Sequence, residues 1–424
     1  MPNRHSFQQR GVAALVVTMT LFFAMLLVAV FANRNLVFEQ RSSANQYRAT
    51  QAFEAAEAGL EWAQAQLNSA QRIGADCRAS ADPAAVSFRD RYLSAPPGAA
   101  GFSGQTWNNA GTAQALQPNC VRSATGWRCS CPGSGHPQLS AATDVQPAPA
   151  FAIEFLPGAR SGVVRVVARG CSSLAGACAP GSATAADASA RVEVALALLP
   201  ALASAPAAAL TARAAIQAPG AALRIHNGDV ASGGVAVHAG ANVELDAAHS
   251  SGPAGAPRAH AIVSNDASLA ALGADQLFAG YFALERASWA AQPSVTSVTC
   301  SGNCAAALEG AIAGAGSNAL IRISGPAVIE GPVTLGRASQ PALIVVDGAV
   351  QLRGPVALHG LLYASALTWS GPVPSGALVR GALISEAGYQ GDGTPELVYD
   401  AAALDRLRTR SGSFVRVSGS WRDF

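Results

Sequence analysis

From Val12 to Ala32 the chain runs 21 residues without a charged side chain, bracketed by Arg10 and Arg34. No other feature restricts the fold so strongly. Coiled as an α-helix, this run is roughly 31 Å long, the hydrocarbon thickness of a bilayer. A cleaved secretory signal with Val30-Phe31-Ala32 as its cutting site is the alternative, but the apolar part of such signals is shorter, about 7–15 residues. Arg4 and Arg10 precede the run while Arg34, Arg41 and Arg48 follow it, so charge does not orient it. Helical character continues past the apolar run. Between Val12 and Ile73 there is no proline, and Gly59 is the only glycine. Ala49, Phe53, Ala56, Leu60, Ala63 and Leu67 recur at steps of four and three, which sets them on one stripe of a helix, with Glu54, Glu57 and Glu61 on a neighbouring face. The pattern predicts one helix of roughly 90 Å. Its first half is membrane-buried and its second half docks a folded head.

At 424 residues the chain is well above the usual domain size, and two or three folded units are expected. Half the residues are apolar and 13% are charged, which excludes a disordered chain. All 28 basic residues are arginine, the net charge is +2, and no clustered basic stripe suggests a nucleic-acid partner. The eight cysteines, Cys77, Cys120, Cys129, Cys131, Cys171, Cys178, Cys300 and Cys304, all lie beyond the apolar run. An even number confined there predicts disulfides in an oxidising compartment, with residues after the helix outside the membrane. Free buried thiols and a zinc site are the alternatives. Cys129-Ser130-Cys131 is tighter than a zinc knuckle, and histidines at ligand spacing are lacking.

Two stretches resemble a known family. Gln9-Arg10-Gly11-Val12 opens the apolar run, and Gln51-Ala52-Phe53-Glu54-Ala55-Ala56-Glu57-Ala58-Gly59-Leu60 follows on the same helix. Together they resemble the start of type IV pilus minor pilins of the PilX type. The resemblance implies a leader, residues 1–11, cut by a prepilin peptidase after Gly11, and methylation of the new N-terminal Val12. It also implies a helix, with Val16, Phe22, Phe23 and Phe31 on its surface, that leaves the inner membrane for a filament core. A uniformly apolar helix can exchange lipid for similar helices at little cost, because its backbone groups are satisfied internally. One departure stands out. Major pilins carry a glutamate as the fifth residue after the cut, and here that residue is Val16, which fits a tip subunit with no neighbour above it. The K-type pseudopilin of type II secretion lacks the glutamate too.

Beyond the helix (12–75, membrane-spanning over 12–32), residues 76–150 are rich in Ala, Gly, Pro, Ser and Asn and read as loops tied by cysteines, with a turn at 127–133. Phe151–Phe155, Gly162–Arg169 and Arg191–Leu198 read as strands. A pilin head over 76–200 follows, in which a small antiparallel sheet buries Phe53, Leu60 and Leu67. Residues 201–222, alanine-rich with Pro206 and Pro219, read as a linker. From 223 to 424 short β-prone runs recur: 223–225, 235–237, 321–323, 327–329, 342–346, 356–358, 361–363 and 377–384. Gly-Pro pairs at 325, 331, 354 and 371 punctuate them. The spacing predicts an irregular β-solenoid, with a β-sandwich as the alternative. A helical patch over 267–285, Cys300–Cys304, 341–348, 360–363 and the end at 414–424 again resemble the PilX-like proteins, and Trp421 and Phe424 are placed to shield a sheet or solenoid end. The fold class is therefore α+β: a long helix on a small antiparallel sheet, then a mainly β C-terminal domain.

An enzyme of the β-helix kind would bring carboxylates together on one face. Glu330, Asp347, Glu386 and Asp392 are the candidates. Asp347-Gly348 and Asp392-Gly393 are also ordinary turn dipeptides, with Asp392 the one place for a structural calcium. His226, His238 and His359 are scattered, and there is no nucleophile elbow, phosphate loop or dinucleotide fingerprint. The expectation is a non-enzymatic minor pilin without cofactor or metal, held in the inner membrane with a periplasmic C-terminus and then in the extracellular pilus. Its implied partners are other minor and major pilins, the prepilin peptidase, the inner-membrane assembly platform and a tip adhesin, in support of adhesion and twitching motility. The alternatives are a K-type pseudopilin and a membrane-tethered carbohydrate-active enzyme, tested by loss of polysaccharide cleavage in Asp347→Ala.

Overall fold

The computed structural model describes residues 10–95, 101–141, 143–144, 147–219, 223–246, 249–371 and 376–423, with the side chains of Arg10 and Asn35 excepted. The leader up to Gln9, Pro372 and Phe424 therefore lie outside the described residues.

A single α-helix runs from Arg10 to Asn68, 59 residues without a break, as the absence of proline allows. Its second half lies on an antiparallel sheet. The sheet order is Gly126–Ser130, Asn119–Ser123, Ala150–Pro157, Val163–Cys171, Ser189–Pro200 and Gly412–Arg416. Alternate residues of these strands, such as Phe151, Ile153 and Phe155 or Val192, Val194 and Leu196, join Ala56, Leu60, Ala63 and Leu67 of the helix in one core. Each large apolar side chain so buried contributes about 1.5–3 kcal/mol. Contact is close at Gly170, where a Cβ would sit 2.0 Å from the Ala52 carbonyl oxygen.

The last strand is the first surprise. Gly412 pairs directly with Pro200, so the chain leaves the sheet at Pro200 and returns beside the same residue at Gly412. Everything from 201 to 411 is an excursion between two adjacent strands. Arg422 and Asp423 pair with Glu193 and Val192 of the same strand. The C-terminal tail, read from sequence as part of the domain over 223–424, pairs with the head sheet instead. Sequence separation hides this, because nothing local in 412–423 names its partner.

The excursion is mainly β and curled. Its strands pair in parallel, and aligned residues recur at intervals such as Val333 with Val356, Leu361 with Ala382 and Leu210 with Val237. The pairing forms three runs, a first through 210–212, 320–323, 342–346, 360–364 and 381–385, a second through 216–217, 327–330, 349–353, 366–370 and 389–391, and a third through 224–226, 333–335, 356–358, 378–380 and 396–398. Their inner side chains, among them Ile225, Ile321, Ile344, Leu362 and Leu383, share one core. The order in space is not the order in sequence: Leu210–Ala212 stacks on Leu378–Ser385, although some 170 residues separate them. Residues 201–219, the described part of the expected linker over 201–222, are thus packed rather than free. Ala201, Leu202, Leu210, Ala212 and Ile216 are fully buried, and two of the parallel strands, Leu210–Ala212 and Ile216–Gln217, fall here. Alanine shows no period in sequence, yet it fits the narrow interior of a parallel turn.

The helical patch over 267–285 forms two helices, Ala267–Ala271 and Ala274–Phe282, followed by Arg286–Ala290. Asp266 caps the first by accepting from the Ser268 and Leu269 N–H groups. These helices and Ala401–Thr409 cover the outer side of the first run, packing Phe278, Phe282, Trp289, Leu404 and Leu407 on Leu343, Leu361, Tyr363 and Ile384.

All eight cysteines are paired: Cys77 with Cys131, Cys120 with Cys129, Cys171 with Cys178 and Cys300 with Cys304. Cys129 and Cys131 take different partners because Cys129 lies on the strand Gly126–Ser130, whereas Cys131 lies just past its end, where its N–H donates to the Ala75 carbonyl at 2.7 Å close to Cys77. Cys120 faces Cys129 across the hairpin.

Candidate functional site: the bare half of the N-terminal helix

The helix has two surfaces of opposite character. From Ala52 onward its stripe is buried: Ala52, Ala56 and Ala63 are fully covered and Leu60 and Leu67 nearly so, while Phe53 is half-buried against the edge of Trp421 at 6.3 Å. Before residue 40 the apolar side chains cover nothing. Phe22, Phe23 and Phe31 are each about 65% exposed, and Val12 (66%) and Val16 (53%) are equally bare. Among the described residues this is the one helix long and apolar enough to cross a membrane, and none of its most apolar stretch is buried in the protein. The only hydroxyls in that stretch turn inward. Thr18 and Thr20 donate to the carbonyls of Ala14 and Val16, each at 3.0 Å, so the surface offers no unsatisfied polar group to lipid or to another helix. Gly11 stands open, with nothing within 4 Å of where a Cβ would be. Val16 leaves the fifth position after Gly11 without a carboxylate.

What anchors the buried half was not legible in sequence. Arg89, wholly buried, donates to the Leu67 carbonyl at 3.1 Å and to the Gly412 carbonyl at 2.7 Å, and stacks 4.7 Å over the Phe414 ring. Burial lowers its guanidinium to about 10, and it remains charged at neutral pH. Asn68 donates to Phe414 O at 2.9 Å and accepts from Phe414 N at 2.7 Å, and Asn318 grips Gly412 in the same two-way fashion. Two asparagine amides thus act as surrogate strand partners for the returning chain. The one local signal is an arginine directly behind a large apolar residue in Phe88-Arg89-Asp90. Arg416 adds an ion pair to Glu61 at 2.7 Å, so one of the helix's four glutamates serves the head.

The carboxylates weighed as catalytic do not form an acid–base pair. Asp347 is held by Arg322 at 2.6 Å and Arg286 at 3.5 Å, and Glu386 is bound by Arg286. Arg286 lies 4.5 Å over Phe278, beneath the covering helices, and burial pushes the Tyr363 phenol beside it above its ordinary range. Asp392 accepts from the Gly371 N–H, and the backbone of Glu330 is tied to Asn303. His226 contacts Ser251, His238 contacts Asp266, and His359 is apart from both. Among the described residues, no three His, Cys, Asp or Glu side chains gather as metal ligands. A cleft of about 450 Å³ opens between the head and the second domain, lined by Arg72, Asp90, Glu309 and Arg337. Two of these charges staple the seam: Arg72 donates to the Ala313 carbonyl, and Asp90 accepts from the Ser317 N–H and hydroxyl.

A long helix, bare at one end and docked on an antiparallel sheet at the other, is the arrangement that the resemblance to pilins implies. The match to known families agrees: residues 10–61 match the family described as PilX N-terminal, so this stretch is a PilX-type pilin N-terminal region. That family is one of pilins rather than of enzymes. No curated protein and no solved structure matches the chain.

Proposed function

We propose that this chain is a minor pilin that primes or caps a type IV filament and displays its second domain at the tip. The bare helix carries the reading. Its apolar half is continuous with the half that holds the head, so the helix can be drawn out of the membrane without unfolding the head. Cutting after Gly11 and methylation at Val12 would free the helix for assembly by the inner-membrane platform, beside other minor and major pilins. Val16 suits the tip, since a subunit with no neighbour above needs no carboxylate to meet that neighbour's amine. The excursion over 201–411, read as an irregular β-solenoid, is the part that adhesion and motility would use. On this division the pilin unit is residues 12–200 plus 412–424, and the displayed domain is what lies between.

Intact mass of the mature protein tests the pathway. A chain starting at Val12 and carrying one methyl group is the expected result; a chain starting after Ala32 removes the reading. Val16 also supports the second reading, a K-type pseudopilin. Deleting the protein and scoring surface pili against protein export separates the two: loss of pili is expected, and loss of export with normal piliation favours the pseudopilin.

A further inference from the structure

The three parallel runs of the second domain differ on their outer sides. The first is apolar and covered by helices. The second is uncovered and presents a ladder of uncharged polar groups. Gln351, Thr368, Gln390 and Gln217 align in register on four successive strands, with Glu244 on the fifth. Inside the same strands Val350, Leu367, Tyr389 and Ile216 fill the core, so the alternation of a strand sends the ladder residues outward. Gln217, Gln390 and Glu244 are exposed, and Thr368 and Gln351 half-exposed. The amides are pre-ordered by their neighbours. Gln390 donates to Gln217 at 3.3 Å, Arg353 donates to the Gln351 carbonyl at 2.7 Å, and Asn242 donates to Glu244 at 3.1 Å. A glutamine side chain has two donor hydrogens and two acceptor lone pairs, so each retains capacity toward solvent.

We propose that this ladder binds an extended, neutral polysaccharide lying across the strands, with about one sugar per strand. Neighbouring strands are ~4.8 Å apart, about the length of one sugar unit in an extended chain. Sugar hydroxyls both donate and accept, which is what a row of amides and a threonine hydroxyl offers in return. The composition disfavours other partners. A nucleic acid would need clustered basic side chains, and a protein interface would need an apolar centre. This run has neither. The ladder is a surface of the folded chain, and its binding does not depend on filament assembly.

Titration calorimetry of the full chain in detergent, with cellohexaose and chitohexaose as probes and a galacturonate hexamer as the charged comparison, tests it. At least one neutral hexasaccharide should bind, and its disaccharide should bind at least about tenfold more weakly, because it spans fewer strands. Gln217→Ala with Gln390→Ala should weaken binding about tenfold, the scale of two modest hydrogen bonds. Arg224→Ala with Thr334→Ala, on the third run, should leave it unchanged. All four side chains face outward, and circular dichroism of each variant reports whether the fold is intact. Absence of binding by both neutral hexasaccharides, equal binding by the glutamine double variant, or binding of the charged hexamer alone would overturn the proposal.

Discussion

The two halves of the N-terminal helix share one backbone and differ in what their side chains meet. Leu27 and Leu60 are the same residue on the same helix, yet one is 66% exposed and the other 2%. Apolar surface left bare on a folded protein must find lipid or another protein. Apolar surface that closes on a sheet spends its free energy on holding the head. The first half is therefore committed to association and the second to stability, and a substitution should affect one property without the other.

Four substitutions test that separation. The largest loss of function is expected for Leu27→Asp. An acidic residue near the centre of a membrane helix costs about 2.5–3.5 kcal/mol, or roughly a hundredfold in insertion. Membrane-fraction and filament yields should collapse while the unfolding midpoint of the head stays put; normal yields would mean the bare half is not used. Leu60→Ala reverses the pattern: a cavity in the head core should cost about 4 kcal/mol in denaturant unfolding. Arg89→Ala should cost about 3 kcal/mol, because it strips the donors from two buried carbonyls, at Leu67 and Gly412. A cost near zero would show that the asparagine grips alone hold the returning strand. Phe23→Ala should be smallest, within about 0.5 kcal/mol of wild type in head stability, as for other exposed sites. A larger loss there would break the division.

The stretch over 201–222 shows where sequence reading stops. Its alanines and prolines carry no period, so they read as a linker, yet the structure buries Leu210, Ala212 and Ile216 between strands from distant parts of the chain. The helical patch failed more gently. Its composition predicted helix, and the break before Ala274 comes where Gly273 caps a new helix by donating to Gln276 at 2.8 Å. Of the site, the apolar run, the opening at Gly11 and the residue at position 16 were legible, because each is local. Arg89, Asn68 and Asn318 were not, because their partners lie up to 346 residues away.

The sequence by itself determined the unbroken helix, its uncharged first half, the stripe that docks the second half and the presence of strands paced by glycine and proline. These follow from side-chain period and backbone sterics, which act over a few residues. Only the tertiary structure decided which cysteines pair, that Gly412 returns to Pro200, and that the segment from 210 to 263 stacks beyond the later strands. Such choices depend on which distant surfaces bury each other best, and that complementarity exists only once the chain has folded.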